Sequence, residues 1–160
     1  MAKLKVGDAA PNFSGTTTDG SKVALKDFHG KKLIMYFYPK DDTPGCTAQA
    51  CSLRDANTEL KKQGVAVLGV STQDEVSHQR FSAKYNLNFP LLADTDKSVA
   101  KAYGAIGGKT GDGGGLMSAA MSLAGFADRV TFVIDEKGKI AQIINSPNTK
   151  NHAEEVLALI

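Results

Sequence analysis

The stretch LIMYFYPKDDTPGCTAQAC, residues 33–51, decides the fold, because it opens with six apolar or aromatic side chains in a row. Such an uninterrupted run is typical of a strand that is buried on both faces, as at the centre of an α/β sheet. After the turn that contains Pro44 and Gly45, residues 51–63 carry apolar side chains at helical spacing, and Gly64 is suited to end that helix. The sequence therefore predicts a buried strand, a turn and an amphipathic helix.

Further strands are predicted on both sides of this unit. Residues 65–70 and 130–134 repeat the buried-strand pattern, and residues 140–144 follow the second run after a four-residue turn, which predicts an antiparallel pair. Near the start of the chain, residues 12–17 and 22–25 flank the turn pair Asp19-Gly20, which indicates a hairpin.

Helices are predicted between and after these strands. One holds Val76, Phe81 and Tyr85, and a shorter one covers residues 98–103. A last helix begins near Asn151, which forms a possible capping box with Glu154. The alternation predicts a single α/β domain over residues 1–160, with a mixed central sheet flanked by helices and an N-terminal β-hairpin.

Composition narrows the class of protein. The 160 residues are 42% hydrophobic and 22% charged, with a net charge of +2, which is typical of a globular domain and argues against nucleic-acid binding. No apolar stretch approaches the ~20 residues that cross a membrane, and the first residues lack the apolar core of a signal peptide. We therefore expect a cytoplasmic protein that binds neither membranes nor nucleic acid.

Half of the 16 glycines fall within residues 104–125. The segment has no long apolar run, so we expect a surface loop with a short helix over residues 116–123.

Cys46 follows the buried strand and opens the predicted helix. Backbone amides in the first turn of a helix have no helical acceptor, and the helix dipole favours negative charge there, so a thiolate is stabilised at this position. The alternative is a buried cysteine that packs as a small apolar residue. The nearby Pro39, Thr43, Pro44 and Gly45 favour the reactive alternative.

Cys51 lies five residues after Cys46. In one regular helix their Cα atoms are roughly 8–9 Å apart, whereas a disulfide tolerates at most about 7 Å. Either the two cysteines never bond, or bonding requires the start of the helix to unwind.

The run from Tyr38 to Asp55 resembles the active-site motif of the peroxiredoxins, and most closely that of the peroxiredoxin Q subfamily, also called bacterioferritin comigratory protein. The similarity extends to residues 69–71, 81–94, 129–135 and 150–152, so it covers nearly the whole chain apart from the glycine-rich segment. Many relatives carry Glu three residues after the reactive cysteine, where this chain has Gln49. The resemblance implies a thioredoxin-like fold.

The resemblance also implies thiol-dependent reduction of hydrogen peroxide and organic hydroperoxides. Cys46 would be the peroxidatic cysteine, and Cys51 the resolving cysteine that forms an intramolecular disulfide with it. Thr43 and Arg129 would stabilise the reacting oxygens, and Pro39 would shield the thiolate. Thioredoxin or a similar dithiol protein would reduce the disulfide. No metal or other cofactor is implied, and the subfamily is mostly monomeric.

Other functions are less well supported by the residues. A metal site could draw on His29, His78 and His152, but they are scattered and are expected at the surface. Gly108-Lys109-Thr110 resembles the end of a phosphate-binding loop, yet the loop's first glycine would fall on Tyr103. A redox-sensing or holdase protein, with residues 116–123 as its apolar surface, stays open. So does a thioredoxin-like oxidoreductase, although its motif has two residues between the cysteines and this chain has four.

Overall fold

The computed structural model describes residues 4–106, 125–145 and 147–160. The secondary-structure elements of this part of the chain are, in order, β1 (Ser14–Thr16), β2 (Lys22–Ala24), a 3-10 helix (Leu25–Phe28), β3 (Lys32–Phe37), α1 (Pro44–Lys62), β4 (Val65–Ser71), α2 (Glu75–Tyr85), β5 (Leu91–Ala93), α3 (Ser98–Ala102), β6 (Val130–Ile134), β7 (Ile140–Ile144) and α4 (His152–Leu157).

A five-stranded mixed sheet forms the centre of the fold, with the strand order β5-β4-β3-β6-β7. The pairs β3–β4 and β4–β5 are parallel, because α1 and α2 cross over between them. The pairs β3–β6 and β6–β7 are antiparallel. Strands β1 and β2 form a separate antiparallel hairpin. The predicted α/β class, mixed sheet and N-terminal hairpin are confirmed.

Side chains of β3 alternate between two apolar layers. Leu33, Met35 and Phe37 face a layer that includes side chains from the N-terminal segment and α3. Ile34, Tyr36 and Tyr38 face the opposite layer, together with side chains of α1, α2 and α4. All six are fully buried, which confirms the prediction of a strand covered on both faces and places the start of α1 over the end of β3.

Several local predictions need correction. Strand β5 was not predicted, because its three residues are too few to show a period. The predicted second helix is confirmed as α2, and Val76 on it is 53% exposed. The capping box is wrong, since the Asn151 side chain makes no cap hydrogen bond. Instead, the Asn148 side chain accepts from the Lys150 and Asn151 amides at 3.2 Å each.

The predicted glycine-rich loop and its short helix fall mainly on residues 107–124, which lie outside the described residues. Among the described helices, none is both long and apolar enough to cross a membrane.

Gly69 on β4 gives a test of this packing. It pairs with Tyr36 on β3 and Leu91 on β5, and a Cβ atom there would lie 3.0 Å from the Tyr36 ring and 2.7 Å from a Leu91 methyl. We predict that Gly69→Ala lowers the free energy of unfolding by about 1–3 kcal/mol, because the buried ring has no room to move. Chemical denaturation measures this, and an unchanged unfolding midpoint would contradict the described contact.

Candidate active site

Cys46 occupies the first turn of α1. Pro44 is the first helical residue, and the first hydrogen bond into the helix runs from the Thr47 amide to the Thr43 carbonyl at 2.8 Å. The amides of Gly45 and Cys46 precede that bond, so they have no acceptor within the helix. The Cys46 side chain is fully buried. A thiolate at this position would lie at the positive end of the helix dipole, in the turn whose amides have no helical acceptor.

Arg129 brings a cation to the sulfur atom. Because Phe37 on β3 pairs with Val130 on β6, the residue before Val130 lies beside the end of β3, where the loop to α1 begins. The Arg129 guanidinium donates from Nη2 to Cys46 Sγ at 3.3 Å and from Nη1 to Gln49 Oε1 at 2.9 Å. Its position is therefore fixed by two residues of the same helix, three positions apart.

Gly45 makes the close approach of Arg129 possible. A Cβ atom on Gly45 would lie 3.1 Å from Arg129 Nη2 and 3.8 Å from a Thr149 methyl carbon. The backbone of Gly45 does not have positive φ, so the close contact with Arg129, rather than backbone conformation, favours glycine here. The residue before Cys46 thus leaves space for the guanidinium.

Thr43 and Pro39 lie in the loop that leads to α1. The Thr43 hydroxyl donates to the Lys40 carbonyl at 3.0 Å and does not cap the helix. Pro39 is buried, and its carbonyl accepts from the Ser71 hydroxyl at 3.5 Å. The structure therefore puts both predicted residues on the chain segment that precedes Cys46.

Cys51 lies on the second turn of α1 and is half-buried. Both thiols are free, and the helix is continuous across them. Ideal helix geometry puts their Cα atoms roughly 8–9 Å apart, beyond the ~7 Å reach of a disulfide. A bond between these two sulfur atoms would require the first turns of α1 to unwind.

Two polar atoms beside the cysteine have unused hydrogen-bonding capacity. Within the described residues, Tyr36 Oη and Gln49 Nε2 are buried and have no hydrogen-bond partner. Burial first, and then the negative charge of Cys46, raises the pKa of Tyr36 well above its ordinary value. The phenol therefore keeps its proton and is a donor in the apolar layer that contains Cys46, and Gln49 Nε2 is a second buried donor on α1.

The histidine prediction is only partly correct. His29 is exposed as expected, but His78 and His152 are fully buried. His152 Nε2 lies 2.9 Å from the Thr131 hydroxyl and Nδ1 lies 2.8 Å from Glu155 Oε1, and its ring is 6.5 Å from that of Tyr36. Each buried histidine occupies a polar position inside the core, which the spacing of apolar residues in the sequence does not indicate.

In the part of the chain that the structure describes, no three His, Cys, Asp or Glu side chains cluster as metal ligands.

The family model and the similar proteins identify the same family. Residues 6–143 match the model of the AhpC/TSA family. The chain is 45% identical to Peroxiredoxin Bcp of Escherichia coli, over 98% of this chain and 96% of that protein. It is 38% identical to chloroplastic Peroxiredoxin Q of Populus jackii, over 100% of this chain and 70% of that protein.

Solved structures show the same fold. A mutant of Xylella fastidiosa PrxQ superposes with a TM-score of 0.84 at 28% identity, over 99% of this chain and 96% of that one. Xanthomonas campestris bacterioferritin comigratory protein, whose structure was described in connection with alkyl peroxide reduction, gives a TM-score of 0.80 at 31% identity, over 99% and 96%. The likeness covers 99% of this chain in both structures, so the thioredoxin-like fold is shared.

If Cys46 is the residue that reacts with hydrogen peroxide, we predict that Gly45→Ala slows this reaction by about ten- to a hundredfold, because the new methyl group would push the Arg129 guanidinium away from the sulfur. Stopped-flow kinetics measure this rate. Alanine favours helix over glycine, so the thermal midpoint should not fall. An unchanged rate would contradict the proposed contact.

His152 gives a prediction on pH. Burial lowers the pKa of His152 below its ordinary value of 6.5, an effect that the Glu155 hydrogen bond only partly offsets. The unfolded chain therefore takes up a proton first as the pH falls, so His152 contributes stability that is present above pH 6.5 and is lost below it.

The free energy of unfolding, measured by denaturation between pH 7.5 and 5, should fall less in His152→Gln than in the unsubstituted protein. His29→Gln, which replaces an exposed histidine, is the matched control. Equal slopes in all three proteins would show that His152 does not titrate in this way.

Proposed function

The chain belongs to the AhpC/TSA family, as a peroxiredoxin of the Q type, and on this basis we propose that Cys46 is its peroxidatic cysteine. The protein is accordingly a thiol peroxidase, an oxidoreductase that acts on peroxides. The observation that carries the residue assignment is the 3.3 Å hydrogen bond from Arg129 to the Cys46 sulfur at the start of α1. Cys51, the other cysteine of the chain, has no such partner among the described contacts.

In the first step, the Cys46 thiolate attacks one oxygen of the hydroperoxide. The S–O bond forms as the O–O bond breaks, sulfur is oxidised to sulfenic acid, and the leaving oxygen takes a proton to become water or an alcohol. Lowering a thiol pKa raises its thiolate fraction at pH 7 by only ~30-fold from an ordinary pKa of about 8.5. Further acceleration must come from donors aimed at the oxygens.

Several groups supply such donors. The Gly45 and Cys46 amides and the Arg129 guanidinium all lie at the start of α1. The Thr43 hydroxyl would release Lys40 and donate to the peroxide, while the buried Pro39 keeps water from that side of the sulfur. Tyr36 and Gln49 offer two more donors that lack acceptors in the reduced protein.

In the second step, Cys51 resolves the sulfenic acid. The Cys51 sulfur attacks the Cys46 sulfur, the S–O bond breaks, and water leaves as the disulfide forms. The continuous helix supports a cycle in which this step follows unwinding of the first turns of α1. Thioredoxin or a similar dithiol protein then reduces the disulfide by exchange. Because both cysteines belong to one chain, the cycle works in a monomer.

One equivalent of hydrogen peroxide, followed by rapid quenching, intact mass measurement and peptide mapping, tests this cycle. We expect a fast loss of two hydrogens, with Cys46 bonded to Cys51 within one chain. Cys46→Ser should abolish peroxide reduction. Cys51→Ser should retain one turnover but lose cycling with thioredoxin.

Three outcomes would contradict parts of the assignment. Full activity in Cys46→Ser would show that the peroxidatic cysteine is wrong. Continued cycling in Cys51→Ser, or disulfides between chains, would show that the resolving partner is wrong. Stable sulfenic acid in the unsubstituted protein would favour a redox sensor over a peroxidase.

A further inference from the structure

Two adjacent carboxylates join the loop before Cys46 to helix α2. Asp41 is buried and Asp42 is exposed, and both follow Tyr38 and Pro39 at the end of the central strand. Each contacts a different part of α2, Asp41 near its start and Asp42 at its last turn. The unwinding that the proposed cycle requires takes place immediately after these residues.

Asp41 is held by four groups. Its Oδ1 accepts from the Tyr38 hydroxyl at 2.6 Å, and its Oδ2 accepts from the Ser77 hydroxyl at 2.7 Å. Oδ2 also lies 2.7 Å from His78 Nδ1. The Asp41 amide donates to Gln73 Oε1 at 2.6 Å. The carboxylate contacts fix the side chain of this loop position, and the Gln73 contact fixes its backbone.

His78 extends this network to the sheet. Its Nε2 lies 3.0 Å from the Leu92 carbonyl, which can only accept, so Nε2 carries a hydrogen. Its Nδ1 contacts Asp41 Oδ2 on the other side of the ring. The loop is thus connected through α2 to strand β5.

Asp42 forms the second attachment. Its Oδ2 accepts from Lys84 Nζ at 2.7 Å and its Oδ1 from the Tyr85 hydroxyl at 2.6 Å. The hydrogen bond to Lys84, and then that to Tyr85, lower the pKa of Asp42. Asp42 has φ of 61°, a left-handed conformation that Asp adopts more readily than most residues. The chain changes direction at this residue just before Thr43 and α1.

We propose that Asp41 and Asp42 are positioning residues that clamp the loop to α2, and that the strength of this clamp sets how often the start of α1 unwinds. The inference rests on the proposed peroxidatic role of Cys46. With the clamp closed, Gly45 and Cys46 keep the geometry in which Arg129 contacts the sulfur. A weaker clamp lets the first turns unwind more often.

The clamp therefore controls a competition at the Cys46 sulfenic acid. In the unwound form, Cys51 displaces the oxygen as water and forms the disulfide. In the folded form, a second hydrogen peroxide transfers an oxygen to sulfur, giving sulfinic acid and water. A weaker clamp should favour the disulfide over sulfinic acid, and should slow the first reaction with peroxide.

Asp42→Asn and Lys84→Met test the exposed half of the clamp. The matched control is Asp96→Asn, which removes an exposed carboxylate that accepts from the Ser98 amide and hydroxyl at the start of α3, in the opposite layer. Amide hydrogen exchange of residues 45–50 in the reduced protein should rise about two- to fivefold in both clamp variants, as expected for an exposed ion pair. The control should match the unsubstituted protein.

The second readout is the hydrogen peroxide concentration at which half of Cys46 becomes sulfinic acid, measured by intact mass in protein kept cycling with thioredoxin. It should rise about two- to fivefold in both clamp variants. Asp41→Asn should have a larger effect in the same direction. Because it also leaves His78 buried without its carboxylate partner, the test of the clamp depends on Asp42→Asn and Lys84→Met.

Unchanged exchange in both Asp42→Asn and Lys84→Met would overturn the clamp, whether or not Cys51 is the resolving cysteine. Faster exchange, together with an unchanged or lower hydrogen peroxide concentration for half-conversion of Cys46 to sulfinic acid, would show that the clamp does not control over-oxidation. If the unsubstituted protein forms no Cys46–Cys51 disulfide, the proposed cycle fails, and the exchange measurement still decides whether the clamp holds the helix start.

Discussion

The hydrogen bond from Arg129 to the Cys46 sulfur is the interaction on which the rest of the site depends. The antiparallel pairing of β3 with β6 brings Arg129 to the strand end where α1 begins. Gln49 fixes the other side of the guanidinium, and Gly45 leaves space for it. The strand pairing, the Gln49 contact and the space at Gly45 act together, because a thiolate at the start of a helix is stabilised most by donors that are held in one geometry.

The proposed cycle makes two opposite demands on this geometry. It uses Cys46 for attack while the first turn of α1 is folded, whereas the proposed bond to Cys51 requires that turn to unwind. Such a cycle works only if the start of the helix is stable enough to form the site and still able to unwind. Thr43 provides no side-chain cap, and the attachment of Asp41 and Asp42 to α2 gives a means of setting this balance from outside the helix.

The local elements were largely predictable from sequence, since the apolar run of β3 and the helical spacing of α1 reflect burial directly. The contact between Arg129 and Cys46 was not predictable from local pattern, because the two residues are 83 positions apart. Only the family resemblance indicated it. The burial of His78 and His152 was missed for a similar reason: the carboxylates and hydroxyls that satisfy these rings come together only in the fold.

Hydrogen exchange of the amides from Thr43 to Cys51, compared between the reduced and the peroxide-oxidised protein, tests whether the start of α1 unwinds. Unwinding should give faster exchange across this segment after oxidation, while α2 and the central sheet keep their protection. Equal protection in both redox states, with the Cys46–Cys51 disulfide formed, would contradict the claim that this disulfide requires the helix start to unwind.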